Sequence, residues 1–125
     1  MIQNSKISTV RSAAILTTSY VTGTTIDTEG IRNQLILLAD FTLGSLTDAQ
    51  IKLEFSRDGS TWYQETFGSI SAGVETLSLG VHKLTATGAY RISTSIMDRY
   101  IRVSAIGTGT TTSSSLAITA VIGEV

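Results

Sequence analysis

The feature that most constrains the fold is a short alternating segment that ends in a turn signal. Ile51, Leu53 and Phe55 alternate with polar residues, as in a strand that buries one face. The Asp-Gly pair at 58–59 is typical of a type I′ turn, which needs positive φ at both central residues. We therefore predict a β-hairpin whose second strand returns over residues 61–67.

A two-residue loop would also fix the register of this hairpin. It places Phe55 opposite Trp62 on the core side and Lys52 opposite Glu65 on the outer side. An aromatic pair of this kind contributes about 0.5–1.5 kcal/mol beyond its area burial. The sequence thus predicts that Trp62 lies in the core and Tyr63 on the outer face.

Similar alternating segments and turn signals recur along the whole chain. They predict an all-β fold, an antiparallel β-sandwich of about eight or nine strands, with jelly-roll and immunoglobulin-like topology both open. Strands are predicted over residues 13–21, 31–43, 50–56, 61–67, 74–79, 82–86, 89–94, 99–105 and 116–122. Loops are predicted over residues 44–48, 68–73 and 107–114.

The segment 31–43 allows two interpretations. Its middle, residues 35–39, is apolar at consecutive positions, which fits a strand that is buried on both faces. A helix is the alternative, because Leu35, Leu38 and Ala39 also fit a period of 3.6 residues. We favour the strand, since the neighbouring segments are strands and no clear cap begins a helix.

Composition supports this fold class and limits how it is stabilised. Ser and Thr make up more than a quarter of the chain, and β-branched residues suit a pleated surface. The chain has no cysteine, which excludes disulfides and cysteine metal sites. It also has no proline, a residue that often protects edge strands. The edges must be protected in another way, and burial against neighbouring subunits is one.

Domain organisation is predicted to be simple. Residues 13–125 form a single sandwich, and residues 1–12 form an extended N-terminal arm or a first edge strand. The formal charge is −1 with scattered charges, which argues against a nucleic-acid partner. The run at residues 35–39 is too short to cross a membrane, and no signal peptide is convincing, so we expect synthesis in a cytoplasm.

Candidate catalytic groups do not assemble into a known motif. His82 is the single histidine, with no nucleophile motif beside it, and is interpreted as a strand or loop residue without a catalytic role. Glu54 and Glu65 are predicted to lie on one exposed face, where carboxylates suit neither a general acid nor a shielded nucleophile. Asp58 is explained by the turn rather than by calcium. We predict no enzyme activity, no cofactor and no metal site.

Aromatic and basic residues suggest contact surfaces instead. A sugar-stacking platform is one hypothesis for Trp62, Tyr63, Tyr90 and Tyr100. The basic residues Arg91, Arg99 and Arg102 accompany two of these tyrosines, and Tyr and Arg are favoured at protein–protein interfaces.

A family resemblance adds to this interpretation. The segment from Leu53 to Tyr63, with Asp58-Gly59 and Trp62, is followed by an Arg-Tyr-Ile-Arg-Val segment at 99–103, a Gly-Thr-Gly turn and a closing alternating strand. This order resembles small β-sandwich virion proteins of tailed bacteriophages, including capsid decoration proteins and tail or fibre modules. The resemblance covers roughly residues 50–122 and implies no catalytic residues.

The resemblance implies a virion protein that acts by self-association and by binding other virion proteins, such as a major capsid protein. We expect a capsid decoration protein ahead of a tail or fibre component, and a carbohydrate-binding module is the alternative of another class. The candidate interface residues are Ile2, Ile7, Val10, Tyr63, Tyr100 and Arg102.

Overall fold

The computed structural model describes residues 5–29 and 33–123, and this part of the chain consists of strands and their connections. Its strands are β1 (Ser5–Ala14), β2 (Val21–Thr22), β3 (Ile26–Asp27), β4 (Gln34–Thr42), β5 (Leu46–Ser56), β6 (Tyr63–Gln64), β7 (Thr66–Ser71), β8 (Val74–Leu79), β9 (His82–Leu84), β10 (Gly88–Ser95), β11 (Tyr100–Gly109) and β12 (Ser115–Gly123).

Two antiparallel sheets form a β-sandwich, as the sequence predicts. The first sheet has the strand order β1-β12-β4-β10. The second has the order β2-β11-β5-β6, with β3 also paired to β11 and β9 also paired to β5. Strands β7 and β8 pair only with each other, as a separate hairpin.

The core lies between the sheets, and the alternation of the long strands builds it. Alternate residues of β11 and β12 are buried between the sheets, namely Ile101, Val103, Ala105, Leu116, Ile118, Ala120 and Ile122. From β5, Ala49, Ile51 and Leu53 meet them. Each large aliphatic side chain buried in this way contributes about 1.5–3 kcal/mol.

The segment 31–43 contains a strand, β4, so the prediction of a strand over a helix is confirmed. The prediction that it is buried on both faces is wrong. Leu35, Leu37 and Ala39 are buried, whereas Leu38 between them is 42% exposed. The reason is that β4 pairs with β12 and β10 in an antiparallel sheet, whose outer face is uncovered.

The predicted strand over residues 13–21 is wrong. Strand β1 ends at Ala14, and β2 begins at Val21 in the other sheet. The irregular segment between them crosses the end of the sandwich, where Leu16 is buried and the Thr17 carbonyl accepts a hydrogen bond from the Gly107 amide. The predicted loops 44–48 and 107–114 are shorter than expected, because β5 begins at Leu46 and β11 continues to Gly109.

The turn after β5 is not the predicted type I′ turn. Positive φ occurs at Gly59 but not at Asp58. The Asp58 side chain instead accepts hydrogen bonds from the Ser60 and Thr61 amides and from the Ser56 hydroxyl. Such side-chain bonds offer the backbone an alternative to a tight turn, and the loop is therefore longer.

The longer loop shifts the register by one residue, which corrects two predictions. Phe55 pairs with Tyr63 rather than with Trp62. A shift of one residue moves side chains to the other face of a sheet. Trp62 accordingly lies outside the core, and its ring packs against the guanidinium of Arg102. The guanidinium carbon lies 4.4 Å from the centre of the ring.

The predicted loop 68–73 is also wrong. Its first residues belong to β7, and only Ala72 and Gly73 separate the two strands, with φ of 51° and 77°. Positive φ at both central residues is the type I′ geometry that was expected at residues 58–59. Alanine seldom adopts this conformation, so the sequence carries no strong turn signal here.

Within residues 5–29 and 33–123, no helix is long and apolar enough to cross a membrane.

Candidate interaction surface

The hairpin of β7 and β8 is the most unusual feature of the described chain. Every residue of its two strands is exposed. The pairs Thr66–Leu79, Gly68–Leu77 and Ile70–Glu75 place three large aliphatic side chains on one face. Ile70, Leu77 and Leu79, here called the aliphatic face, are 75%, 61% and 69% exposed.

The opposite face of the hairpin is mostly hydroxylic. Phe67 pairs with Ser78, Ser69 with Thr76 and Ser71 with Val74. Phe67 and Val74 are themselves exposed, so the hairpin shows apolar side chains on both sides. Such surface on a monomer marks an interaction site when it is contiguous.

Specific contacts hold the base of the hairpin against the sandwich. Nε2 of His82 lies 2.8 Å from Oε1 of Glu65, and the Gly80 amide donates to the Glu65 carbonyl at 2.7 Å. The Phe67 ring packs edge-on against the His82 ring at 5.8 Å. A Cβ on Gly80 would lie 2.7 Å from the Phe67 ring, so a larger residue there would displace the ring.

These contacts give His82, which the sequence analysis left without a catalytic role, a place in the fold. It begins β9 and pairs with Ile51 of β5. Glu65 is likewise drawn away from its predicted partner Lys52, whose ammonium lies 4.4 Å from the centre of the Tyr20 ring. His82 and Glu65 therefore orient the hairpin.

An isolated two-stranded hairpin is at best marginally stable in water. This hairpin places large aliphatic side chains in solvent and leaves both outer edges of its strands unpaired within the described residues. Unpaired strand edges are templates for pairing with another chain. The arrangement can therefore offer both apolar contact and backbone hydrogen bonds to a partner.

The hairpin emerges on the flank of the sandwich that carries β10. Because β11 occupies one side of β5, both β6 and β9 lie on the other side. Only residues 85–87 connect β9 to β10, and three residues span about 10 Å, the distance between packed sheets. The start of β10, the edge strand of the first sheet, therefore lies near the end of β9.

The predicted interface residues do not form one surface. Ile2 lies outside the described residues. Ile7 is exposed on β1, but its neighbour Val10 is 3% exposed and belongs to the core, and its carbonyl accepts from the Thr24 amide. Val10 is thereby removed from the candidate interface, because β1 is an edge strand paired to β12 over this segment rather than a free arm.

The other three candidates lie in the second sheet. Tyr63 is 70% exposed beside the Asp58 turn. Tyr100 and Arg102 are half-buried on β11, where Arg102 donates two hydrogen bonds to Glu54, at 3.0 and 3.2 Å. Arg102 is therefore engaged within the chain, and Trp62 covers it.

Sequence reasoning missed the hairpin as a functional element. Residues 74–79 were correctly predicted as a strand. The signal for its partner was the alternation of Phe67, Ser69 and Ser71 with Gly68 and Ile70, which small residues obscure.

Comparison with known proteins gives a structural relative only. No protein-family model and no curated protein matches the sequence. Among solved structures, the chain is similar to the crystal structure of PBSX exported protein XepA, with a TM-score of 0.66 and 12% sequence identity. The match covers 96% of this chain and 37% of that one, so this chain spans little more than a third of the length of its relative. The likeness shows a shared fold.

Proposed function

We propose that this chain is a non-enzymatic structural protein of a tailed-bacteriophage virion, which acts by binding other virion proteins. Capsid decoration is the first candidate position, ahead of a tail or fibre component. A decoration protein would stabilise the shell by bridging neighbouring subunits, and many weak contacts of this kind add up through multivalency.

The exposed hairpin is the observation that carries this proposal. A chain that functions alone gains nothing from three large aliphatic side chains held in solvent on an anchored hairpin. Apolar residues on a projecting two-stranded element suit insertion between protein subunits. The structural likeness to PBSX exported protein XepA supports the phage context of this proposal.

Carbohydrate binding has weaker support. A stacking platform needs an open aromatic face, and Arg102 covers one face of Trp62. Tyr63 remains exposed, but the other predicted tyrosine on this sheet, Tyr100, lies beside Arg99, whose guanidinium carbon is 5.1 Å from the ring centre. A glycan array with wild type and Tyr63→Ala tests this alternative directly.

The proposal is tested on particles of the phage or induced prophage that encodes the chain. We expect the protein in density-banded virions by mass spectrometry, and we expect particles from a deletion strain to lose DNA at a lower temperature. Absence of the protein from banded virions, with the protein found only in the free lysate, would refute the virion assignment. Presence without any change in heat resistance would move the assignment from capsid decoration to the tail.

A further inference from the structure

We infer that the hairpin of β7 and β8 docks along the free edge of β10 in a second copy of this chain. This inference names a self-assembly contact and does not depend on the phage assignment. It rests on two unpaired surfaces on the same flank and on their opposite charges.

Strand β10 is a suitable receiving edge. It pairs with β4 in unbroken register from Gly88 to Ser95, and no described strand covers its other side. Tyr90 and Ile92 point toward the core but remain half-buried, because the sheet ends there. A further strand beside β10 would complete their burial.

The opposite edge of the first sheet, strand β1, is protected against pairing with another chain, unlike β10. Strand β1 carries Lys6 and Arg11, and its register with β12 is broken twice, between Thr9 and Arg11 and between Arg11 and Ala14. Charges and bulges of this kind prevent pairing with another chain. Strand β10 has neither bulge nor proline, and Arg91 is its single charge.

The charges of the two surfaces are complementary. Glu75 is the single charged residue of the hairpin segment 66–79, and Arg91 is the single charged residue of the segment 88–95. Neither forms an ion pair within the described part of its own chain. Because the hairpin carries an acid and β10 carries a base, the hairpin of one copy complements β10 of another copy of the same chain.

The sizes of the two surfaces also agree. The hairpin strands have six residues each and β10 has eight, so each spans about 20–27 Å. All twelve residues of the two hairpin strands are exposed, so the whole hairpin is open to contact with a partner. Because donor and acceptor lie on one flank, two copies facing each other there can exchange hairpins.

Charge reversal tests this contact. The solution mass of the full chain is measured by light scattering after size exclusion, over a wide concentration range. We expect wild type to form a defined oligomer. Glu75→Arg and Arg91→Glu should each raise the dissociation constant about tenfold or more, because like charges then meet.

Mixing distinguishes this contact from other effects of charge. In an equimolar mixture of Glu75→Arg and Arg91→Glu, every hairpin can meet a β10 of opposite sign in the other variant, so the oligomer should return. The double variant should also assemble. Lys6→Glu is the matched control, because it reverses one positive charge on the opposite edge strand and should leave the mass unchanged.

The results that overturn the inference are equally definite. A wild-type monomer at every concentration would overturn it, as would single variants with the wild-type mass. Failure of the mixture to assemble, with both variants folded by circular dichroism, would show that Glu75 and Arg91 do not meet.

Discussion

Glu65 and His82 close the base of the exposed hairpin, with 2.8 Å between Oε1 and Nε2. The two residues belong to the segments that enter and leave the hairpin, and Phe67 packs on the His82 ring from the hairpin side. This pair therefore determines how the aliphatic face is held relative to the sandwich. It contributes little to the core, which lies between the two sheets.

His82→Ala is expected to loosen the hairpin and leave the sandwich folded. Loss of the Glu65 contact and of the ring contact with Phe67 should increase hydrogen exchange of the hairpin amides about tenfold, while β4 and β12 amides keep their protection. Hydrogen exchange with mass spectrometry checks this. Lys83→Ala, an exposed neighbour, is the control, and equal exchange in both variants would contradict the anchoring role.

Ala72 is expected to limit the stability of the hairpin turn. Its φ of 51° is unfavourable for a residue with a Cβ, so Ala72→Gly should slow hairpin exchange and Ala72→Val should accelerate it. Each effect should be within about 1 kcal/mol. Amide exchange of residues 66–71 and 74–79 measures both variants, and the same direction of change in the two would refute the turn assignment.

Acid is expected to weaken the turn after β5. Hydrogen bonds from the Thr61 and Ser60 amides and from the Ser56 hydroxyl lower the pKa of Asp58 below its ordinary value of 3.8. A carboxyl with a lowered pKa in the folded state stabilises the fold above its unfolded pKa, and this contribution is lost as pH falls through the folded pKa.

Asp58→Asn should therefore be less stable than wild type near neutral pH, and the difference should shrink below pH 3.8. Thermal unfolding as a function of pH measures it. The Arg99 guanidinium lowers the pKa of Asp27 in the same direction, so Asp27→Asn is a parallel case at another site. A difference for Asp58→Asn that stays constant to low pH would contradict the hydrogen-bonding scheme.

Trp62 is expected to behave as a surface residue. Trp62→Ala removes a contact with Arg102 and should cost about 1 kcal/mol, whereas Leu53→Ala in the core should cost about 2–5 kcal/mol. Chemical denaturation compares the two variants. A larger loss for Trp62→Ala would support the register in which Trp62 opposes Phe55.

The long strands were predictable because burial on one face imposes a period of two. Ile101, Val103 and Ala105 show this pattern, and so do the inward residues of β12. The turns were less predictable, since Asp58 bonds with its side chain to the amides that follow, and Ala72 adopts a conformation that its residue type disfavours. The projecting hairpin could not be inferred, because alternation predicts a buried face, whereas the aliphatic face is exposed in the part of the chain that the structure describes.

Rebinding to particles tests the central claim, that this chain acts by contact through its hairpin. Virions from a deletion strain are mixed with purified wild type or with Leu77→Ser/Leu79→Ser, which changes two exposed side chains. Wild type should sediment with the particles at saturating, stoichiometric amounts, and the folded variant should remain in the supernatant. Equal binding of both proteins, or no binding of wild type, would contradict the account.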